Sequence, residues 1–350
     1  MSTTIITIEE VNTVSHHPNA DKLDVIKVLG YDVVVGRDQY KVGDQVVYFP
    51  PDILIPPEVA CELGVIKYLK HAVYPGDNEK TQCRVGATRL RGVSSYGFVI
   101  TNALSFQIGT DVTDMYSGQK YIPPVRVGAG DALPELENFP KYTNIQNYQR
   151  YPDAISVDTD VVVTEKIHGT NCRLGLVRVG DEFQFVAGSH NQRRSEGADE
   201  NISLYWYFMQ DCMDLLTFLC DEQNDAIIYG EIFGQGVQDL DYGQIEKSFR
   251  VFDISLNGRY LNYWDMVQLC DGHEVLTVPL LYIGPFTRNK IKEITDGETT
   301  FSGVRSKFKG REGVVVRPVK ETFSEVLGGR MIVKSISADY SDRKGAIDNE

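Results

Sequence analysis

The chain has 350 residues, a formal net charge of −14, and 42% apolar and 24% charged residues. That is the composition of an ordinary globular protein, one large domain or two of usual size, and no apolar run approaches the roughly 20 residues of a membrane span. The opening MSTTIITIEE lacks a basic segment followed by an apolar core, and the six cysteines show no C-x-x-C spacing. A secretory leader, a zinc site and a redox pair are therefore not expected, and a cytoplasmic location is.

Residues 1–118 read as β-rich, with short runs such as LDVIKVLGYDVVVG and DQVVYFPPDILIP divided by Gly, Pro and Asp, which suits a small barrel. Tyr31, Tyr48 and Tyr96 in this part either stack on bases or pack the barrel. His16–His17 has no carboxylate or cysteine pattern around it and reads as a turn. A Pro- and Gly-punctuated stretch makes 119–138 the expected linker. Beyond it, strand-like runs recur at 160–166, 226–232, 248–254, 312–317 and 330–336, and a helix is predicted over 201–220, apolar enough around its surface to be core. Strands and helices at uneven spacing argue for an α+β second domain over 139–340, with 341–350 as a tail.

Strong negative charge works against nucleic-acid binding on average, yet recognition uses local charge. Residues 301–334 carry Arg305, Lys307, Lys309, Arg311, Arg317, Lys320, Arg330 and Lys334 against Glu312, Glu321 and Glu325. Such a tract is either a focused phosphate site or a solvated charged face.

Four lone charges sit in apolar strand-like runs. Lys166 ends VVVTEK, Glu231 lies in AIIYGEIFG, Glu312 opens EGVVVRP, and Lys334 lies in RMIVKSIS. Singly, each reads as an edge charge. Together, two amines and two carboxylates must be paired or metal-bound if they are buried. The chemistry that fits is covalent nucleotidyl transfer. A lysine attacks phosphorus only as the neutral amine, against an ordinary pKa of roughly 10.4. A second cation nearby, Lys334 or Mg²⁺, disfavours the ammonium and offsets charge on the α-phosphate. The carboxylates would hold the metal through its waters, and Gly169 lets the backbone turn beside the phosphate.

EKIHGTN (165–171) resembles the lysine motif of covalent nucleotidyltransferases in the K-x-H-G form of ATP-dependent RNA ligases. GSHN (188–191), YGEIFG (229–234), FRVFDI (249–254), EGVVVRP (312–318) and IVKSIS (332–337) resemble the remaining blocks in order. HPNADKLDVIKV (17–28) with KVGDQVVYFPPDILIP (41–56) is similar to the OB-fold tRNA-binding module of several aminoacyl-tRNA synthetases. An OB module ahead of the core looks like the Deinococcus-type RNA ligases, and GQGVQDLDYG (234–243) and FPKYTNIQN (139–147) resemble that group too. The stretch 260–305 is least distinctive.

The resemblance implies an N-terminal OB-fold β-barrel followed by an adenylyltransferase domain, ATP-grasp-like and built on antiparallel sheets. It implies ATP as the nucleotide, AMP carried on Lys166, and Mg²⁺ or Mn²⁺ held by Glu312 and Glu231, with Glu231 on the ribose as the alternative. Glu165 would meet the adenine edge, Phe252 or Phe249 would stack on the base, and Asn171, His190 and Arg193 would line the nucleotide site. His168 would act after adenylylation, and Lys334 would touch the α-phosphate. His190 stands where the family carries Arg, and Ile332 where it often carries a lysine. The expected substrate is a 3′-OH/5′-phosphate nick in duplex RNA or an RNA/DNA hybrid with RNA on the 3′-OH side, and the expected enzyme is a monomer away from membranes. A capping-type guanylyltransferase and a non-catalytic tRNA- or nucleic-acid-binding protein are the alternatives.

Overall fold

The computed structural model describes residues 3–73, 81–103, 106–121, 132–197, 203–221, 223–301 and 306–343. Arg305 of the basic tract, the middle half of the expected linker and the end of the tail lie outside these residues. The chain forms two compact units, one of Met1–Pro124, Ile145–Ala154 and Ala338–Glu350, the other of Val125–Asn144 and Ile155–Ser337.

In the first unit, Leu23–Val28 and Tyr31–Gly36 alternate buried and part-exposed residues, the period that a one-sided strand demands. They belong to a five-stranded sheet in the order Phe98–Thr101, Gln45–Phe49, Thr7–His16, Leu23–Val28, Tyr31–Gly36, each neighbouring pair antiparallel. A bulge between Val11 and Thr13 lets one long strand serve two partners: Thr7–Glu10 pair with Gln45–Tyr48, and Val11–His16 with Asp24–Val28. That is how a sheet coils into a small barrel. A second sheet is ordered Gln119–Lys120, Ile53–Ile55, Thr81–Arg84, Lys70–Val73. Tyr31, Tyr48 and Tyr96 are buried against Val11, Ile26 and Val33, so they pack the barrel and offer no base platform. His17 closes a turn, its Nε2 3.0 Å from Leu90 O and its Nδ1 accepting from Asn19 N–H. Two later segments join this unit. Gly30 N–H bonds Gln149 O at 2.6 Å, and the short helix Ala338–Ser341 buries Tyr340 while Arg89 reaches Asp342 at 2.9 Å.

The second unit has two large antiparallel sheets and a two-stranded ribbon, Phe323–Ser324 with Gly329–Arg330. The larger runs Ala132–Leu133, Arg193–Arg194, Glu182–Ser189, Thr170–Val179, Ala226–Phe233, Ser248–Leu256, Arg259–Tyr260. In the other, the strands of this unit are ordered Val333–Ile336, Gly313–Pro318, Asp160–Lys166, Leu280–Pro285. The expected helix over 201–220 is two: Leu204–Tyr207 and Met209–Cys220, separated at Phe208, whose ψ of 1° leaves the helical region. Both pack on the large sheet, through Tyr205, Phe208, Met209, Leu215, Leu216 and Leu219 against Leu174, Ile228 and Ile254. No helix among the described residues is long and apolar enough to cross a membrane.

Much of the basic tract is internal. Asp253, fully buried, accepts from Arg317 Nη1 at 3.0 Å, Arg330 Nη2 at 2.7 Å and Tyr142 OH at 2.8 Å. Arg330 also forks onto Glu321 at 2.6 and 2.8 Å and stacks on Tyr260. These guanidiniums neutralise carboxylates inside the unit, a role that neither a phosphate site nor a solvated face describes.

Candidate active site

Lys166 is the last residue of its strand, and Thr170 opens the next one in the other sheet, so the turn 167–169 passes the chain from sheet to sheet. Gly169 is required there for space: a Cβ would lie 2.1 Å from Ile232 O. Across this turn the two sheets present their charges.

On the smaller sheet, Lys166 pairs with Gly313, Thr164 with Val315, and Val315 with Lys334. Directly paired residues share a face, and so do residues two apart on a strand. Lys166 and Lys334 therefore lie on one face, and Lys334 is fully buried. Glu312, just ahead of its strand, sends Oε1 to Lys166 Nζ at 2.7 Å, and the pair is largely removed from solvent, with side chains 14% and 4% exposed. The other carboxylate oxygen of Glu312 is buried without a hydrogen-bond partner, 3.9 Å from His168 Nδ1.

On the larger sheet, Asn171 pairs with Glu231 and Glu231 with Arg250. All three share a face, and the Asn171 side-chain oxygen is another buried acceptor with no partner. Arg250 folds back on Ser248 Oγ and Phe249 O and lies over Phe233 and Phe301; burial lowers its pKa.

The pleat turns Glu165 to the face opposite Lys166, with Val314 and Ser335. There Thr299 Oγ, Thr300 N–H at 2.9 Å and Thr300 Oγ at 2.8 Å all donate to its carboxylate. Of the two candidate stacking rings, Phe249 is core, 5.7 Å from Phe208 and lying where a Cβ at Gly230 would be. Phe252 is the extra residue of a bulge, since Tyr229 pairs with Asp253 and Gly230 with Val251, and its half-buried ring meets Tyr142 edge-on at 4.8 Å. His190 follows Ser189, which pairs with Cys172, so it stands at the Asn171 end of the sheet. Arg193 lies one strand further out, its N–H on Glu135 at 2.7 Å.

Four residues of the site were not anticipated from sequence. Thr299 and Thr300 lie in the undistinctive stretch 260–305 and carry no signal. Asp239 and Tyr242 come from the loop GQGVQDLDYG. Asp239 Oδ1 is 2.8 Å from His168 Nε2, and the Tyr242 hydroxyl accepts the His168 backbone N–H at 2.6 Å. Burial, then the negative charge of Glu312, pushes the Tyr242 hydroxyl far above its usual pKa, so it stays neutral.

No group of three or more His, Cys, Asp or Glu side chains that could hold a metal gathers among the described residues. A hard cation kept by one or two carboxylates, its own waters and substrate phosphates needs no such cage. The buried, unbonded oxygen of Glu312 fits that mode.

A family model described as RNA ligase matches residues 159–336, and an OB-fold domain model matches 5–102. A comparison with curated proteins returned no match. Among solved structures, the chain is similar to an RNA ligase of Naegleria gruberi solved with pyrophosphate: TM-score 0.78, 23% identity, covering 97% of this chain and 98% of that one. Variants of that ligase solved with ATP and Mn and with AMP and Mn give TM-scores of 0.79 and 0.80 at 22% and 23% identity. They cover 98% and 99% of this chain and 100% of theirs. At such identity the likeness is one of fold.

Proposed function

The chain belongs to the RNA ligase family, and from that premise we propose that it is an ATP-dependent enzyme that seals 3′-OH/5′-phosphate breaks by way of a lysine-bound AMP. The observation that carries this reading is the Lys166–Glu312 pair, 2.7 Å apart on the sheet face that also buries Lys334. The N. gruberi structures with ATP, AMP and Mn support the choice of nucleotide and metal.

In the first step Lys166 Nζ bonds to the α-phosphorus of ATP, the bond to the β-phosphate oxygen breaks, and pyrophosphate leaves. A 5′-phosphate oxygen of RNA then displaces Lys166 from AMP. Finally the 3′-OH attacks that activated 5′-phosphate and AMP departs. Lys166 must release Glu312 and give up its ammonium proton to solvent to become a nucleophile, and Lys334 lies on the face where it can offset charge on the α-phosphate. Glu312 and Glu231 would hold Mg²⁺ or Mn²⁺, which supplies Lewis-acid charge at the phosphates. Asn171 and Phe252 are our candidates for ribose and base contacts; Phe249 is held in the core.

We assign the first unit to holding the substrate, a nicked RNA duplex or RNA/DNA hybrid, and the second to nucleotidyl transfer. None of the six cysteines forms a disulfide, which suits a reducing, cytosol-like compartment. The test is incubation with labelled ATP or GTP and Mg²⁺ followed by a denaturing gel. A covalent band from ATP supports the ligase. A band from GTP only, or from neither, refutes it in favour of a capping enzyme or a binding module.

A further inference from the structure

The lysine turn is gripped by one loop from two directions. Tyr242 takes the His168 backbone N–H at 2.6 Å, and Asp239 takes the ring through Nε2 at 2.8 Å. The loop itself is internally braced. Asp241 accepts Gly243 N–H at 2.8 Å and Gln244 N–H at 2.9 Å, and Tyr242 is held at a φ of 55°, a left-handed conformation that a bulky residue rarely adopts.

A carboxylate only accepts, so Asp239 places the proton on Nε2 and turns Nδ1 toward Glu312. There it lies 3.9 Å from Oε2, the oxygen not spent on Lys166. The imidazole thus spans from the loop to the lysine–glutamate pair. Asp239 thereby restrains the ring against flipping or leaving its rotamer. We propose that Asp239 is a positioning residue that acts through His168, fixing the tautomer and orientation in which His168 meets the reacting groups; this rests on the ligase reading above. The plainer account is that Asp239 only tethers a loop. Its side chain is 39% exposed whereas that of His168 is 13% exposed, so the contact gains from the buried partner.

The two accounts separate in a double-mutant cycle on the full chain. Two half-reactions are timed: adduct formation from labelled ATP and Mg²⁺, and discharge of the preformed adduct onto a nicked RNA duplex. Whichever half-reaction His168→Ala slows, Asp239→Ala is expected to slow as well, by about 10- to 100-fold, the scale on which misplacing a reacting group is felt. The double variant should be no slower than His168→Ala alone. Asp239→Asn keeps an oxygen that accepts from Nε2 and should recover most of the rate, a rescue that mere loop loss would not show. Multiplying effects in the double variant would overturn the proposal, as would a normal rate for Asp239→Ala or for His168→Ala. A wild-type chain that forms no adduct would instead sink the ligase reading itself.

Discussion

Glu312→Gln tests the centre of the site because two physical effects pull in opposite directions. Glu312 holds the Lys166 ammonium at 2.7 Å, and a carboxylate beside an amine favours its charged form. On that ground alone, removing the charge would help the nucleophile and speed adduct formation. If Glu312 instead leaves Lys166 when ATP and metal bind and organises the cation, its charge is used in the transition state. Losing one such preorganised partner costs about 3–4 kcal/mol, or roughly 10²–10³ in rate. The second effect should win. On the proposed mechanism the Lys166–Glu312 pair is already broken in the productive complex, so the first effect would have little left to gain. The buried, unbonded Oε2 is what a cation would meet. Single-turnover adduct formation with labelled ATP, followed over a range of Mg²⁺ concentrations, should show a fall of at least about 100-fold in Glu312→Gln. A variant as fast as wild type, or faster, would mean that Glu312 merely restrains Lys166, and the metal assignment would be wrong.

Lys166→Ala should abolish the adduct while joining of a pre-adenylylated 5′ end partly survives, and Lys166→Arg should fail too because guanidinium stays protonated; a wild-type adduct mapped to another lysine refutes this. Adduct formation should stop in excess chelator and return with Mg²⁺ or Mn²⁺, and full activity with metal stripped away would contradict the role of Glu231 and Glu312. Asp253→Ala leaves Arg317 and Arg330 without their shared carboxylate in the interior, a loss of about 3–5 kcal/mol. The melting temperature should fall by roughly 10 °C, and a shift under about 2 °C would show that the cluster relaxes. Deleting residues 1–118 strips the partners of Gln149 and of the helix Ala338–Ser341, which begins two residues after the Lys334 strand ends. The truncated chain should form adduct several-fold more slowly than the full chain, and equal rates would show that adduct formation needs nothing from the first unit.

Strand positions were the most legible part of the fold, since short β-branched apolar runs bounded by polar and turn residues are written locally. The run 160–166 is the strand Asp160–Lys166, and 226–232 extends by one residue to Phe233. The helix at 201–220 looked continuous because its apolar residues cover so much surface. Nothing in that pattern marks the break at Phe208, whose ring stacks on Phe249 with centroids 5.7 Å apart. The basic tract misled for a related reason. Charge can be counted in a sequence, but its partner Asp253 lies 64 residues before Arg317 and 77 before Arg330.

The site shows the same division. Lys166, Glu231, Glu312 and Lys334 stand out because a charge in an apolar run is costly, and the sequence shows both the charge and the run. It does not show which face each charge takes. Alternation along the lysine strand puts Glu165 and Lys166 back to back, and only the register with Val314 and Ser335 reveals what Glu165 meets. Its three donors come from Thr299 and Thr300, residues with no chemistry of their own to flag. Loops are legible only where their residues must do something unusual. GQGVQDLDYG stands out in the sequence only as a resemblance, and Tyr242 at positive φ and Asp239 on the imidazole follow from where that loop returns, across the lysine motif some 70 residues earlier.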